Sequence, residues 1–358
     1  MRRIILLSTA LGGFALPAAA DEIAVLGWGG AYTASQVEAY HKPFTAKTGI
    51  TVVSVDTDNP SAPIKAQVES GSVSTDVASV EYADAVRLCD EGLVETIDPA
   101  SLLPAPDGTP ATEDFLPGAL ADCFVATDVF STILAFDTSK YAEGAAPTKL
   151  ADFFDLDKFP GKRGMRKSAK VNLEMALLAD GVPAAEVYDT LRTPEGVDRA
   201  FKKLDKIKSQ IVWWEAGAQP PQLLADGEVA MTIAYNGRIF NAAISEGKPF
   251  KIVWDGQVYE VEGWVIPKGA PHLKAAKDFV TFSTGAEPLA HAAEWISYGP
   301  PRKSSAPLVG LFKDGKTPMA PNLPTSPENL TNALASDYEF WVDHDTELNE
   351  RFNAWLAG

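Results

Sequence analysis

Short apolar runs alternate with amphipathic stretches along the N-terminal third of the chain, and this alternation limits the fold more than any other feature. Predicted strands lie at 23–28, 50–55 and 77–80, and predicted helices at 35–48, 63–70 and 83–90. Gly49 and Gly92 follow two of these helices as stop signals. Strand and helix repeated in this order predict a parallel sheet wrapped by helices, which is an α/β fold.

Two long extended stretches, 125–136 and 252–266, interrupt the pattern in the rest of the chain. Around them the sequence predicts further strands at 211–214 and 229–235, and helices at 172–180, 194–206 and 273–282. A chain of 358 residues usually forms two domains rather than one. We therefore expect two α/β lobes that are joined by crossing strands.

The first twenty residues predict a secretion signal at 1–20. Arg2 and Arg3 precede an apolar run at 4–16, and three alanines before Asp21 form a small-residue cleavage site. The apolar run is short for a membrane span, which needs about 20 residues. We therefore expect the mature protein in the periplasm.

The chain has two cysteines, Cys89 and Cys123. A pair of cysteines in an oxidising compartment predicts one disulfide, and two buried free thiols are the alternative. The sequence has neither a CxxC motif nor a cluster of cysteine and histidine, so nothing points to a redox motif or a zinc site.

Composition and motifs give no support to several classes of function. The formal net charge of −17 argues against nucleic acid or an anionic membrane as a partner, because both attract basic surfaces. The signatures GxSxG, HExxH and GxGxxG are missing, and the four histidines form no i, i+4 pair. We therefore expect no catalysis and no cofactor or metal, and we expect a monomer.

Aromatic and acidic residues recur where predicted strands end. In open α/β sheets the ligand site lies outside the carboxyl ends of the strands. Aromatic walls with carboxylates form a cage for an ammonium group, through cation–π attraction and charged hydrogen bonds. The candidate ligand-binding residues are Trp28, Glu81, Tyr82, Tyr235, Arg238, Glu260, Glu262 and Tyr298.

Several segments occur in the order and spacing of a known family. They are PTKLADFFDLDKFPGKRGM at 147–165, GEVAMTIAYNGR at 227–238, GWVIPKGAP at 263–271 and ISYGPPRK at 296–303. With Trp28 and Glu81-Tyr82, they make the chain resemble the spermidine/putrescine-binding proteins of bacterial ABC importers, from about residue 22 to the C-terminus.

The resemblance implies a type II periplasmic binding protein fold with a ligand cleft between two lobes. Lobe one would comprise 22–132 plus 262–303, and lobe two 136–257 plus 306–358. The protein would bind a small amine-containing solute, close on it, and deliver it to an ABC permease in the inner membrane.

By position in the family, Trp28, Tyr82, Tyr235 and Tyr298 would be aromatic walls and Glu262 would hold an amine. The chain departs from the family where Ser168 and Val171 replace an acidic pair. Positive charge from Arg166, Lys167 and Arg238 favours a ligand with one amine and one carboxylate, such as γ-aminobutyrate (GABA). Putrescine stays open if a second acid is supplied by Glu81, Glu174, Glu215 or Glu260.

Three rival functions differ in what they require. A ferric-ion-binding periplasmic protein would use clustered tyrosines, but the sequence has no adjacent tyrosine pair. A secreted hydrolase would need a nucleophile beside a histidine. A structural or adhesive protein would bind no small ligand at all.

Overall fold

The computed structural model describes residues 22–358, so the predicted secretion signal at 1–20 lies outside the described residues. Within 22–358, no helix combines the length and apolar composition that a membrane crossing requires. The ten strands of this part of the chain are β1 (Glu22–Gly27), β2 (Thr51–Asp56), β3 (Val77–Glu81), β4 (Leu120–Ala121), β5 (Phe124–Asp137), β6 (Arg163–Arg166), β7 (Ile211–Trp214), β8 (Met231–Tyr235), β9 (Phe250–Val265) and β10 (Leu334–Ala335).

Thirteen α-helices occur in the same part of the chain. They are α1 (Gly30–Gln36), α2 (Lys42–Thr48), α3 (Ser61–Ser70), α4 (Tyr82–Asp90), α5 (Ala111–Asp114), α6 (Asn172–Ala179), α7 (Val187–Leu191), α8 (Pro194–Asp205), α9 (Gln219–Ala225), α10 (Asn236–Ile244), α11 (Leu273–Ser283), α12 (Ala286–Ala293) and α13 (Tyr338–Ala357). A π-helical turn at Val37–His41 joins α1 to α2, and this helical run ends at Gly49, whose φ of 78° suits a glycine.

The described strands form one sheet in the order β2–β1–β3–β9–β5–β8–β6–β7, with β10 paired to β9 and β4 to β5. At one end β1 runs parallel to β2 and β3, and at the other β6 runs parallel to β7 and β8. Between these two parallel units lie β5 and β9, which pair antiparallel and have 14 and 16 residues. Both predicted extended stretches are therefore strands that cross from one unit to the other.

Two large hydrophobic clusters, one on each parallel unit, share the crossing strands. The first contains Val125 and Trp264 together with residues of β1, β3 and α11. The second contains Leu134 and Val258 together with residues of α6, α8 and α13. Each half of the sheet therefore has its own core, and the predicted fold of two α/β lobes joined by crossing strands is confirmed.

The structure contains the predicted disulfide between Cys89 in α4 and Cys123, which precedes β5. The bond closes a loop with a sequence separation of 34 residues. Loop-closure entropy for a chain of this length corresponds to about 3–4 kcal/mol. The disulfide therefore secures the segment between β3 and β5, next to the sheet edge where the site described below lies.

Candidate functional site

A cavity of about 430 Å³, including the part open to solvent, lies where several strands end. Trp28 follows β1, Glu81 ends β3 and Tyr235 ends β8, so three strands present side chains at the same edge. The cavity is lined by Trp28, Tyr32, Asp58, Glu81, Phe130, Arg166, Glu215, Gly217, Tyr235, Arg238, Glu262 and Tyr298.

The structure brings six of the eight predicted ligand-binding residues together in this lining. The two that lie outside it are Tyr82 and Glu260. The ring of Tyr82 packs 4.9 Å from that of Phe124 and 4.5 Å from that of Tyr338, so it lies between α4, β5 and α13. Glu260 lies deeper, where its carboxylate is 3.0 Å from the Lys170 ammonium.

Aromatic rings form one wall of the cavity. The Phe130 ring lies 5.6 Å from that of Tyr235 and 5.9 Å from that of Tyr298. Tyr298 is held in place because the next residue, Gly299, exchanges two backbone hydrogen bonds with Val129, at 2.7 and 2.8 Å. The wall is therefore anchored to the crossing strand β5.

An acidic pair, Glu262 and Asp128, lies at one end of the cavity. The two residues are partners in the β5–β9 ladder, and the Ser79 hydroxyl donates a hydrogen bond to Glu262. Asp128 Oδ2 accepts hydrogen bonds from the Tyr32 and Thr127 hydroxyls, both at 3.1 Å. Asp128 Oδ1 is buried without a partner among the described residues.

Burial sets the protonation of the acidic pair. It raises the pKa of Asp128 to about 7. Burial, together with the neighbouring negative charge of Asp128, also holds the pKa of Glu262 well above its usual range. Two carboxylates in a dry site repel each other, so a bound cation would favour the ionised form of both.

Arg238 also lines the cavity and lies in the first turn of α10. Its guanidinium donates to the carbonyl oxygen of Gly29 at 2.7 Å and to that of Trp28 at 3.1 Å. A Cβ atom at Gly30 would lie 2.5 Å from Arg238 Nη1, so only glycine admits this approach. Arg238 therefore ties the second half of the sheet to the loop that follows β1.

Two buried N–H donors in the lining have no hydrogen-bond partner among the described residues: Arg238 Nε and Trp28 Nε1. Buried polar groups in native proteins are nearly always paired, so such exceptions require an explanation. Two free donors in one cavity are suited to an anionic oxygen pair, because arginine recognises carboxylates with a planar fork.

A second set of charges lies at the edge of the cavity, where Glu81 and Arg166 belong to the lining and Lys170 and Glu260 lie behind it. The Lys170 ammonium is 2.6 Å from Glu81 and 3.0 Å from Glu260, and Arg166 Nη1 is 3.6 Å from Glu81. Glu81 and Glu260 are therefore already neutralised. Of the other predicted acids, Glu174 is fully buried outside the cavity, where Trp341 Nε1 donates to it at 2.7 Å. Glu215 lines the cavity, but its side chain is 72% exposed.

Sequence reasoning missed Asp128, Lys170, Tyr32 and Phe130. Asp128 left a signal, because it is a charged residue inside the buried strand FVATDVFSTILAFD, and an unpaired charge there would be costly. Lys170 left no such signal in the sequence, since the chain has many lysines and nothing in the residues around Lys170 indicates that its side chain is buried.

The stretch GLFKDGKT at 310–317 has the spacing of a nucleotide-binding P-loop, a motif that needs a strand before it and a helix after it. Here it lies between short 3₁₀ turns at Ala306–Leu308 and Ala320–Asn322. Asp314 Oδ1 accepts from the backbone N–H groups of Lys316 and Thr317 at 2.8 and 2.9 Å. A carboxylate already occupies these donors, so the segment is a turn and not a phosphate site.

Known proteins resemble this chain over nearly its whole length. Residues 39–325 match the family described as bacterial extracellular solute-binding proteins. A gamma-aminobutyric acid-binding protein of Pseudomonas aeruginosa is 48% identical over 351 residues, which cover 97% of this chain and 95% of that protein.

Solved structures share the architecture. The PBP MotA of A. tumefaciens B6, in complex with glucopine, has a TM-score of 0.84 and 31% identity, covering 94% of this chain and 99% of that one. A structure described as the Atu4243–GABA receptor has a TM-score of 0.78 and 32% identity, covering 94% and 98%. The predicted type II periplasmic binding protein fold is confirmed.

The resemblance to polyamine-binding proteins extends to the fold. The spermidine/putrescine-binding protein PotD of Streptococcus pneumoniae has a TM-score of 0.69 but only 16% identity, covering 94% of this chain and 100% of that one. The family is assigned from the match over residues 39–325 and from the relative that is 48% identical. The chain belongs to the bacterial extracellular solute-binding protein family.

Proposed function

We propose that this protein is the periplasmic solute-binding component of an ABC importer and that it binds an ω-amino acid, with GABA as the favoured ligand. One observation supports the proposal: groups suited to a carboxylate and groups suited to an ammonium occur at the same cavity. Among the described residues, two buried N–H donors have no acceptor and the buried acidic pair has no cation as a partner. The relative at 48% identity, a gamma-aminobutyric acid-binding protein, supports the same ligand.

The acidic pair is the proposed site for the ligand ammonium. Glu262 lines the cavity, and Asp128 lies directly behind it in the β5–β9 ladder. An ammonium donates three hydrogen bonds and adds the positive charge that both carboxylates need in order to stay ionised. Tyr298 and Phe130 would cover the methylene groups and provide cation–π contact.

The unpaired donors of Arg238 and Trp28 are the proposed site for the ligand carboxylate. Arg238 Nε and its free Nη hydrogens form a fork that matches a carboxylate in the plane. Because Arg238 also bonds the carbonyl oxygens of Trp28 and Gly29, a carboxylate held there would strengthen contact between the two halves of the sheet. A ligand that touches both sides in this way favours closure.

The lobe boundaries belong to the same proposal. We place lobe one at 22–132 plus 262–303 and lobe two at 136–257 plus 306–358, and the two hydrophobic clusters support this division. Phe312 and Met319 belong to one hydrophobic cluster with Phe240 and Ala293, so their segment lies at the joint between the proposed lobes. In this account a monomer, secreted by its signal peptide, presents the closed form to the permease and performs no chemistry.

A thermal-shift panel tests the proposed ligand. GABA and its homologues with one methylene less or more should stabilise the protein, while putrescine, spermidine and ferric ion should stabilise it less. At 100 times the dissociation constant, the expected gain in the free energy of unfolding is about 2.7 kcal/mol. Equal or larger stabilisation by putrescine or spermidine, or no shift with any ω-amino acid, would reject the assignment.

Affinity for GABA is expected to fall as the pH drops below 7. Because burial raises the pKa of Asp128 to about 7, the free protein holds a proton there that ammonium binding must release. Each proton that ammonium binding releases, from Asp128 or from Glu262, corresponds to about a tenfold loss of affinity per pH unit below the pKa of its carboxyl.

The raised pKa of Asp128 has the opposite consequence for the stability of the free protein, which decreases as the pH rises. A raised carboxyl pKa means that the folded state binds the proton more tightly than the unfolded chain does. The stability due to Asp128 is therefore present at low pH and lost as the pH rises from about 4 to about 7. Calorimetry in two buffers of different ionisation enthalpy measures the released protons, and Asp128→Asn should remove the proton that Asp128 contributes. An affinity that stays constant from pH 5.5 to 7.5 would contradict this protonation scheme.

A further inference from the structure

Lys170 is a buried cation held between two buried carboxylates. Its ammonium lies 2.6 Å from Glu81 Oε2 and 3.0 Å from Glu260 Oε2, and the three side chains are 11%, 12% and 5% exposed. Both carboxylates flank the ligand cavity, Glu81 as part of its lining and Glu260 just behind it. The protein has thus placed an amine of its own between two acids at the edge of a site for amines.

The backbone around Lys170 is built to hold this position. The next residue, Val171, has a φ of 71°, and it is the one non-glycine residue with positive φ in the described range 22–358. Such strain in a β-branched residue persists only where surrounding contacts impose it. Asn172 supplies them, because its Nδ2 donates to the carbonyl oxygens of Arg166 and Ser168, both at 2.7 Å.

The positions of Glu81 and Glu260 relative to Glu262 indicate which group of a ligand would compete with the Lys170 ammonium. Glu81 faces Glu262 as its partner in the β3–β9 ladder. Glu260 precedes Glu262 by two residues on β9, so both side chains point to the same face, roughly 7 Å apart along the strand. A four-carbon diamine spans about that distance, with one ammonium at Glu262 and the other between Glu81 and Glu260.

We propose that Lys170 is a specificity-determining residue whose ammonium occupies the place of a diamine's second ammonium, so that diamines are excluded and ligands with a single amine are kept. The proposal rests on the proposed function, in which Glu262 and Asp128 hold the first amine. A diamine would have to place its second charge against Lys170 and Arg166, with both nearby acids already paired. That arrangement leaves a desolvated ammonium without a partner, which is strongly unfavourable.

The test is a gain of diamine binding. Lys170→Ala removes the ammonium and leaves both acids and the space between them. Calorimetric titration with putrescine should then show affinity about 10- to 100-fold higher than in the wild type, as expected for one charge-assisted hydrogen-bonded pair. Affinity for n-butylamine, which has one amine, should change less than about 3-fold. Lys203→Ala is the matched control, since Lys203 is also largely buried beside a carboxylate, but that carboxylate, Asp180, does not line the cavity as Glu81 does.

A second pair of variants keeps the test valid if Lys170→Ala alone does not fold. The double variant Lys170→Ala/Glu81→Gln removes one charge of each sign and leaves Glu260 as acceptor, so it should also gain putrescine affinity. Adding Glu260→Gln should remove that gain. If folded variants, checked by circular dichroism, gain no putrescine affinity beyond that of n-butylamine, the inference is wrong. Titration of the wild type with GABA tests the proposed function separately, because its outcome does not depend on Lys170 variants.

Discussion

Replacing Glu262 with glutamine is expected to weaken GABA binding about 10- to 100-fold. The substitution keeps the shape and removes the charge, so the ligand ammonium loses a charge-assisted hydrogen bond worth about 1.5–3 kcal/mol. Asp128 lies behind Glu262 and cannot fully replace it, because Glu262 and not Asp128 lines the cavity. Isothermal titration calorimetry at pH 8 measures the change.

Stability of the free variant separates lost binding from lost folding. Burial raises the pKa of Glu262, so at pH values above the ordinary carboxyl pKa this buried acid lowers the stability of the free protein, and a neutral glutamine does not. Free Glu262→Gln should therefore unfold at the same temperature as the wild type or a higher one. Glu174→Gln is the matched control, since Glu174 is equally buried, has a pKa raised by burial to about 7, and lies outside the cavity. Affinity that survives Glu262→Gln would remove Glu262 from the amine site.

Replacing Arg238 with lysine is expected to cost a similar factor of about 10- to 100-fold in GABA affinity, although the charge is kept. Lysine cannot form the planar fork, so the carboxylate loses its paired donors. It also cannot reach both the Trp28 and Gly29 carbonyl oxygens in the same geometry, which weakens contact between the two halves of the sheet. The measurement is again titration calorimetry, with GABA and n-butylamine compared on each variant.

The two ligands distinguish a carboxylate contact from a purely structural role. GABA has the carboxylate and n-butylamine does not, so Arg238→Lys should reduce affinity for GABA by a much larger factor. Equal losses for both ligands would show that Arg238 acts through closure alone. Arg192→Lys serves as the surface control, because Arg192 pairs with Asp337 far along the chain and is absent from the cavity lining.

The fold was predictable because it depends on local patterns. Alternating apolar runs and helical stretches gave the strands β1 to β3 and the helices between them, and the two long extended stretches gave β5 and β9. Six cavity residues followed from the rule that ligands lie at strand ends. Tyr82 shows the limit of that rule. It is adjacent to Glu81 but begins α4, so its ring points toward Tyr338 and not into the cavity.

What the sequence did not predict depends on register and on strained backbone. Asp128 joins Glu262 because β5 and β9 pair in one particular register, and residues 134 positions apart in the chain carry no local sign of that pairing. Lys170 reaches Glu81 and Glu260 because the chain turns at Val171 with a positive φ that valine rarely adopts. The proposed ligand preference depends on these two residues, so local sequence patterns could narrow the choice of ligand but could not decide it.

A crystal structure of the protein with GABA tests the central claim most directly, because the claim is that one cavity binds both ends of an ω-amino acid. We expect the ligand ammonium within hydrogen-bond distance of Glu262 and the carboxylate on Arg238 Nε and Trp28 Nε1, with Lys170 still between Glu81 and Glu260. A ligand bound in the reverse direction, or outside the cavity lined by Trp28, Glu262 and Tyr298, would contradict it.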